Sequence, residues 1–220
     1  MPPLPPFADL AASPKPAMDL LALSLAAELR TVDGDAAVAR LDALGAELAR
    51  VADPTQDRPL ESSLACADLL GRENGFDGDR EHYDDPDNSM LDLVLSRRRG
   101  LPILLSVVYI EVARRAGILL AGVGLPGHFV VGHFGAEPPV MLDPFNGGAL
   151  LEAPTSDAVR PWDHHEIAVR MLNNLVASYQ RRGDLGRAIR AAEMRVMLPS
   201  EASIRDTMSA ELRALRARLN

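Results

Sequence analysis

The 220-residue sequence predicts an α+β fold, and three features point to it. Apolar residues recur at three- and four-residue steps from Met18 to about Leu70, the stretch from Ile103 to Ala113 is apolar on nearly every face, and between Leu119 and Leu151 the period shortens to two. Helices first and a meander of strands afterwards indicate segregated layers, not alternating strand-helix units.

Residues 1–17 contain Pro2, Pro3, Pro5, Pro6, Pro14 and Pro16. Proline offers no amide donor and favours extended backbone, so this arm is expected to be mobile or loosely docked. Helical patterning starts at Met18. Val38, Leu41, Leu44, Leu48 and Val51 make one apolar stripe, with Asp35 near its start and Arg50 near its end, both favourable in the helix dipole. Leu60 to Leu70 repeats the pattern, and Gly71 suits its termination. Glu73 to Asn88 is acidic and rich in turn formers, so it reads as a loop; its Asp77-Gly78-Asp79 lacks the rest of a calcium-loop spacing. Asn88 or Ser89 suits the N-cap of a helix from Met90 to Arg99, which closes on Arg97, Arg98, Arg99 and Gly100.

Ile103 to Ala113 is interrupted mainly by Ser106 and Glu111, so it must be buried on most sides as the central helix of the core. Pro102 fits its first turn, and Arg114, Arg115 and Gly117 mark its end. Leu119–Leu125, His128–Phe134 and Pro139–Asp143 read as strands of a small antiparallel sheet, with Pro126-Gly127 and Gly135 at the turns. Asn146-Gly147 is a hairpin signal ahead of Ala149-Leu150-Leu151. Helical pattern resumes after Pro161. Leu172, Leu175, Tyr179, Ala188, Ala192 and Pro199 follow tetratricopeptide spacing in part, with Gly183-Asp184 at the turn, and a last helix runs from about Ser203 to Leu219. One such unit cannot bury its own apolar face, so it must pack on the preceding residues. The expected division is an arm (1–17), an α+β domain (18–163) and a helical tail (164–220).

A formal net charge of −8 disfavours nucleic acid as a partner. No apolar run approaches the roughly 20 residues that span a bilayer, and Asp19 interrupts the stretch from Met18 to Ala27 that comes nearest to a signal-peptide core. With a single cysteine, Cys66, no intramolecular disulfide is available, which suits a reducing compartment such as the cytoplasm. No metal-ligand spacing is present: His128 and His133 would face opposite sides of one strand, and His164 and His165 point apart. Gly122, Gly124 and Gly127 precede no helix, so a phosphate cradle is not expected, and no cofactor is.

A buried helix starting at Gly100-Leu101-Pro102, then His128 on a strand, then Asp143 at a strand end, is the order of a papain-like thiol enzyme. There a thiolate at the helix N-terminus is paired with a histidine that an acidic residue orients. Asn88-Ser89-Met90-Leu91, the run Arg97 to Leu105, Pro126-Gly127-His128-Phe129 and Asp143-Pro144-Phe145-Asn146-Gly147-Gly148 resemble the bacterial Sir-B-type family of transglutaminase-like proteins. The resemblance covers roughly residues 20–200. It implies a transglutaminase-like core followed by tetratricopeptide-like helices, with His128 and Asp143 as two triad members.

Transglutaminase-like enzymes carry their cysteine at the start of the core helix, about fifteen residues before a Gly-Ile at its end. Counting back from Gly117 gives Pro102, which has neither thiol nor hydroxyl. Ser106, one turn further on, belongs to the apolar core, and Cys66 lies between Ala65 and Ala67 as inert core sulfur would. The expectation is a non-catalytic protein that binds or regulates through a peptide or protein partner. His128, Asp143, Asn88, Gly100 and Asn146 would line its cleft, with Arg98 and Arg99 at the rim. The alternative is a cysteine-type hydrolase or acyltransferase that uses a displaced nucleophile with His128 and Asp143. A third reading makes the helical tail the interaction surface.

Overall fold

The computed structural model describes residues 4–52, 58–152 and 159–219. Leu101, in extended conformation, leads into the helix at the centre of the core. Proline at the first turn loses nothing, because that amide has no intrahelical acceptor. From Pro102 to Ala113 every residue of this helix is buried. Its solvent-directed end carries charge: Arg115 joins Glu111 of its own helix to Asp19 and Asp42 on two earlier helices, at 2.5–2.6 Å.

Those earlier helices are α1 (Phe7–Ala12), α2 (Met18–Ala27), α3 (Gly34–Val51) and α4 (Pro59–Ala67); α5 (Leu91–Arg97) precedes the central α6 (Pro102–Arg115). The proline-rich start departs from expectation. Phe7 and Ala11 are buried in the main core, Ser24 donates to the Pro5 carbonyl at 2.8 Å, and Leu4 covers Gly34. Apolar side chains between the prolines hold residues 4–17 in place, a contribution that proline counting ignores. Pro2 and Pro3 lie outside the described residues.

Two further departures concern glycine and arginine. Helix α4 does not stop at Gly71 but continues as a π turn to Glu73. A Cβ on Gly71 would lie 1.8 Å from the Gly147 carbonyl oxygen, so the glycine is there for close backbone approach. Helix α5 ends at Arg97, because Arg98 takes the left-handed conformation at φ 56° and turns the chain into a short strand. That strand, β2 (Arg99–Gly100), pairs in parallel with β1 (Asp77–Gly78), which organises part of the acidic segment expected to be only loop.

The antiparallel sheet has the order β3 (Ala121–Leu125), β4 (His128–His133), β5 (Val140–Asp143) and β6 (Ala149–Leu151). Phe129, Val131 and Leu142 pack into the main core with α6, while Val123, Val130 and Met141 form a smaller cluster. Gly122 and Gly124 leave room over β3 for the rings of Phe129 and Trp162, which would collide with any Cβ there, and for the Ile167 methyl beside Phe129. In place of a two-residue hairpin at Asn146-Gly147, β5 and β6 are joined by a 3-10 turn (Pro144–Asn146) and by Gly147 and Gly148, both at positive φ.

Helices α7 (His164–Arg181), α8 (Leu185–Met197) and α9 (Ala202–Ala217) complete the chain. Asp163 and Glu166 form a reciprocal capping box on α7, and Gly183 at φ 73° with Asp184 as N-cap makes the turn into α8. Ile167, Met171, Leu172 and Leu175 share one core with α6. Deleting the tail would therefore expose that core rather than leave a folded remainder.

Candidate functional site

The Pro126-Gly127 turn, with Gly127 at φ 70°, starts β4 at His128, and β5 ends at Asp143. Val131 lies opposite Leu142, so one step further Val130 lies opposite Asp143 and His128 becomes its diagonal neighbour on the same face. Their side chains meet: His128 Nε2 is 2.9 Å from Asp143 Oδ2. Asp143 is buried, and the 3-10 turn that follows it satisfies its carboxylate. The Phe145 amide donates to Oδ1 at 3.0 Å and the Asn146 side-chain amide to Oδ2 at 2.6 Å. An ionised Asp143 keeps the imidazole proton on Nε2. His128 Nδ1 then has a lone pair and no protein partner among the described residues. It is the nitrogen available to a bound molecule, in a ring 29% exposed.

Aromatic and cationic groups frame this ring. Phe145 contacts His128 edge to face at 6.2 Å between centroids, and Tyr83 contacts Phe145 at 5.9 Å. The Arg80 guanidinium lies 4.9 Å above Phe145, donates to the Phe145 carbonyl and holds the Asn146 oxygen at 2.6 Å. Arg170 donates to the main-chain carbonyl of His128 at 2.9 Å and packs over Phe129 and Trp162, which fixes the start of β4 to α7. Burial there lowers the Arg170 pKa from its ordinary value, and the Tyr83 phenol works against that shift.

The structure brings His128, Asp143 and Asn146 together, and Arg99 borders the same cleft as Asn146. It does not bring Asn88, Gly100 or Arg98 to it as lining groups. Asn88 is fully buried and donates to Asp79 at 3.1 Å and to the His82 carbonyl at 2.8 Å, organising the loop instead of capping α5. Gly100 is buried against Val94. Arg98 points to the Asn74 carbonyl and to a separate cleft bordered by Asp33 and Asp92. Arg80, Tyr83, Phe145 and Arg170 escaped sequence reasoning. Arg80 and Tyr83 lie in the apparent loop and Arg170 on the tail, and only Phe145 lies within a recognised motif.

The two nucleophile candidates weighed from the sequence, Cys66 and Ser106, are both buried. Cys66 is 0% exposed, and burial pushes its thiol up to about 12 from an ordinary 9, against a backbone hydrogen bond that lowers it. Ser106 is fully buried, and its hydroxyl has no hydrogen-bond partner among the described residues. Tyr109 is similarly buried, its hydroxyl has no hydrogen-bond partner among the described residues, and its pKa is raised first by burial and then by the proximity of Cys66, Asp77 and Asp143. Among the described residues no three His, Cys, Asp or Glu side chains are arranged to hold a metal ion. None of the described helices is long and apolar enough to cross a membrane.

A sequence profile described as "Transglutaminase-like superfamily" matches residues 35–173, which include α6, the whole sheet and the His128–Asp143 pair. The chain belongs to the transglutaminase-like superfamily. It is also 32% identical over 203 residues to a UPF0162 protein of Pseudomonas aeruginosa, covering 84% of this chain and 73% of that one. That places it among the UPF0162 proteins within the superfamily. A UPF0162 protein of Xylella fastidiosa is 41% identical over 138 residues, 54% of this chain and 49% of the relative. The chain thus spans about half the length of the Xylella relatives it matches. A short match reaches mouse F-box only protein 21, 41% identical over 56 residues, or 26% of this chain and 9% of that protein. No solved structure matches. For a transglutaminase-like protein, the site retains a histidine oriented by an acidic residue but has no accessible thiol among the described residues.

Proposed function

We propose that this transglutaminase-like protein binds a peptide or protein segment over His128, Asp143 and Asn146 without catalysing acyl transfer. One observation carries the reading: the histidine is oriented by a fully satisfied carboxylate, yet the single cysteine is buried, with its thiol pushed up to about 12. At neutral pH such a thiol is almost wholly protonated, and a protonated thiol is a poor nucleophile. Pro102, at the position the family spacing assigns to the nucleophile, adds to this. Tyr83, Phe145 and the exposed nitrogen of His128 offer an amphipathic surface of the kind that peptide groups occupy.

The finer assignment follows the same reading. It is a Sir-B-type, regulatory pseudoenzyme of the cytoplasm, and α7–α8 form a tetratricopeptide-like hairpin that braces the site through Arg170 and the His128 carbonyl. The test is a pair of assays on wild type and His128→Ala. Peptide hydrolysis and glutamine-to-amine transfer should stay at background in both proteins, while peptides selected on the wild type should lose affinity for the variant. Turnover that the substitution abolishes would establish instead a hydrolase or acyltransferase with a displaced nucleophile.

A further inference from the structure

Arginines elsewhere in this acidic chain are largely matched with carboxylates: Arg115 with Asp19, Asp42 and Glu111, Arg160 with Glu166, Arg190 with Glu28, Arg195 with Glu211. The cleft next to Asn146 differs. It has a volume of about 500 Å³ and is bordered by Gly71, Arg72, Asp77, Arg80, Arg99 and Asn146, so three guanidinium groups face one lining carboxylate. Arg80 already contacts Asp77 at 3.1 Å, and Arg72 contacts Asp68 at 3.0 Å. Among the described residues Arg99 contacts no carboxylate. Its Nη1 donates to the main-chain carbonyls of Gly75, at 2.6 Å, and of Arg98, at 2.9 Å, while Nε and Nη2 have no acceptor among the described residues.

That leaves open the Nε–Nη2 edge of a guanidinium whose other nitrogen is already fixed. The edge matches the two oxygens of a carboxylate, and a fixed guanidinium loses little freedom on binding one. Gly75 adds no side chain: a Cβ on it would meet nothing within 4 Å. The cleft is also linked to the candidate site by a continuous chain of hydrogen bonds, from Arg80 to Asn146, from Asn146 to Asp143, and between Asp143 and His128.

We propose that this cleft is a carboxylate subsite in which Arg99 takes an acidic side chain of a bound peptide through its Nε–Nη2 edge, flanked by Arg72 and Arg80. The proposal rests on reading the His128 cleft as a peptide site and adds the chemistry of the occupant: an acidic residue seated next to Asn146, with its neighbouring residues over Phe145 and His128. Excess positive charge in a chain of net charge −8 favours an acidic segment over the rest of the surface, and the preference weakens as salt rises.

The test is an NMR titration of the full chain with N-acetyl-Ala-Glu-Ala-amide, its glutamine twin and inorganic phosphate. The glutamate peptide should move the Arg99 Nε–H signal and the amides of Gly75 and Asn146. The glutamine twin should bind about tenfold more weakly or worse, equivalent to about 1.4 kcal/mol. Arg99→Gln should lose the response, and Arg99→Lys, which keeps the charge but not the fork, should lose most of it. Arg72→Gln provides a second variant if substitution at Arg99 disturbs the native spectrum, and it should weaken the glutamate peptide selectively. Equal binding of both peptides, or a response unchanged in these variants, overturns the subsite. Phosphate binding without glutamate binding overturns it in favour of a phosphate site. If the glutamate peptide moves Arg99 and leaves the His128 ring signals in place, the subsite stands and the reading of the His128 cleft as a peptide site fails.

Discussion

Asn146 donates its side-chain amide to Asp143 Oδ2 at 2.6 Å, the same oxygen that meets His128 Nε2 at 2.9 Å. One carboxylate oxygen thus receives both the imidazole and the amide that fixes its position, and Arg80 holds that amide from behind. Asn146→Ala should free the carboxylate to rotate. The expected result is a loss of about 1.5–3 kcal/mol in urea unfolding, as for a hydrogen bond to a charged group. In ¹⁵N spectra, the His128 ring should change from a single tautomer to an averaged one.

Close approach of two backbone segments sets a second expectation. Since a Cβ on Gly71 would lie 1.8 Å from the Gly147 oxygen, Gly71→Ala must displace the turn that carries Asn146. A cost of about 1–3 kcal/mol in thermal unfolding is expected, as for other overpacked positions. Weaker peptide binding should accompany it, whereas alanine at exposed Gly186, whose nearest neighbour would be 3.8 Å away, should leave binding unchanged.

The charge cluster at the end of α6 gives a third. Glu111 and Asp19 are both buried and both depend on Arg115. Arg115→Met would leave two buried carboxylates short of their main partner, and a loss of about 3–5 kcal/mol is expected from chemical denaturation. Arg114, 55% exposed, contacts the same carboxylates, and its substitution should cost far less.

Alkaline stability offers a fourth. Burial raises the Cys66 pKa from 9.0 to about 12 in the folded chain, so the unfolded chain releases this proton first. The stability tied to the protonated thiol is complete below pH 9 and declines as pH rises through that window, by up to about 1.4 kcal/mol for each pH unit. Cys66→Ala should flatten the stability curve between pH 9 and 12 relative to the wild type.

Local signals in the sequence account for much of this. The period-two runs locate three strands of the sheet, the turn signal at Asn146-Gly147 points to the fourth, and the all-round apolar stretch after Pro102 locates α6, because burial on one or both faces is written directly into side-chain polarity. His128 and Asp143 were legible from their turn and strand-end positions. What stayed hidden depends on distant partners. Gly71 looks like a helix stop until Gly147 arrives beside it, and Asn88 looks like a cap until Asp79 and the His82 carbonyl claim its amide. Arg80 and Arg170 reach the site across 66 and 42 residues of sequence, which no periodicity encodes.

The most direct test is the alkylation of Cys66 by iodoacetamide at mildly acidic pH, followed by intact mass in wild type and His128→Ala. A buried thiol raised to about 12 should label slowly, at the same rate in both proteins, and quickly only on unfolding. Rapid labelling of the native wild type that disappears in His128→Ala would mean that Cys66 and His128 form a reactive pair, and would contradict a binding site without a nucleophile.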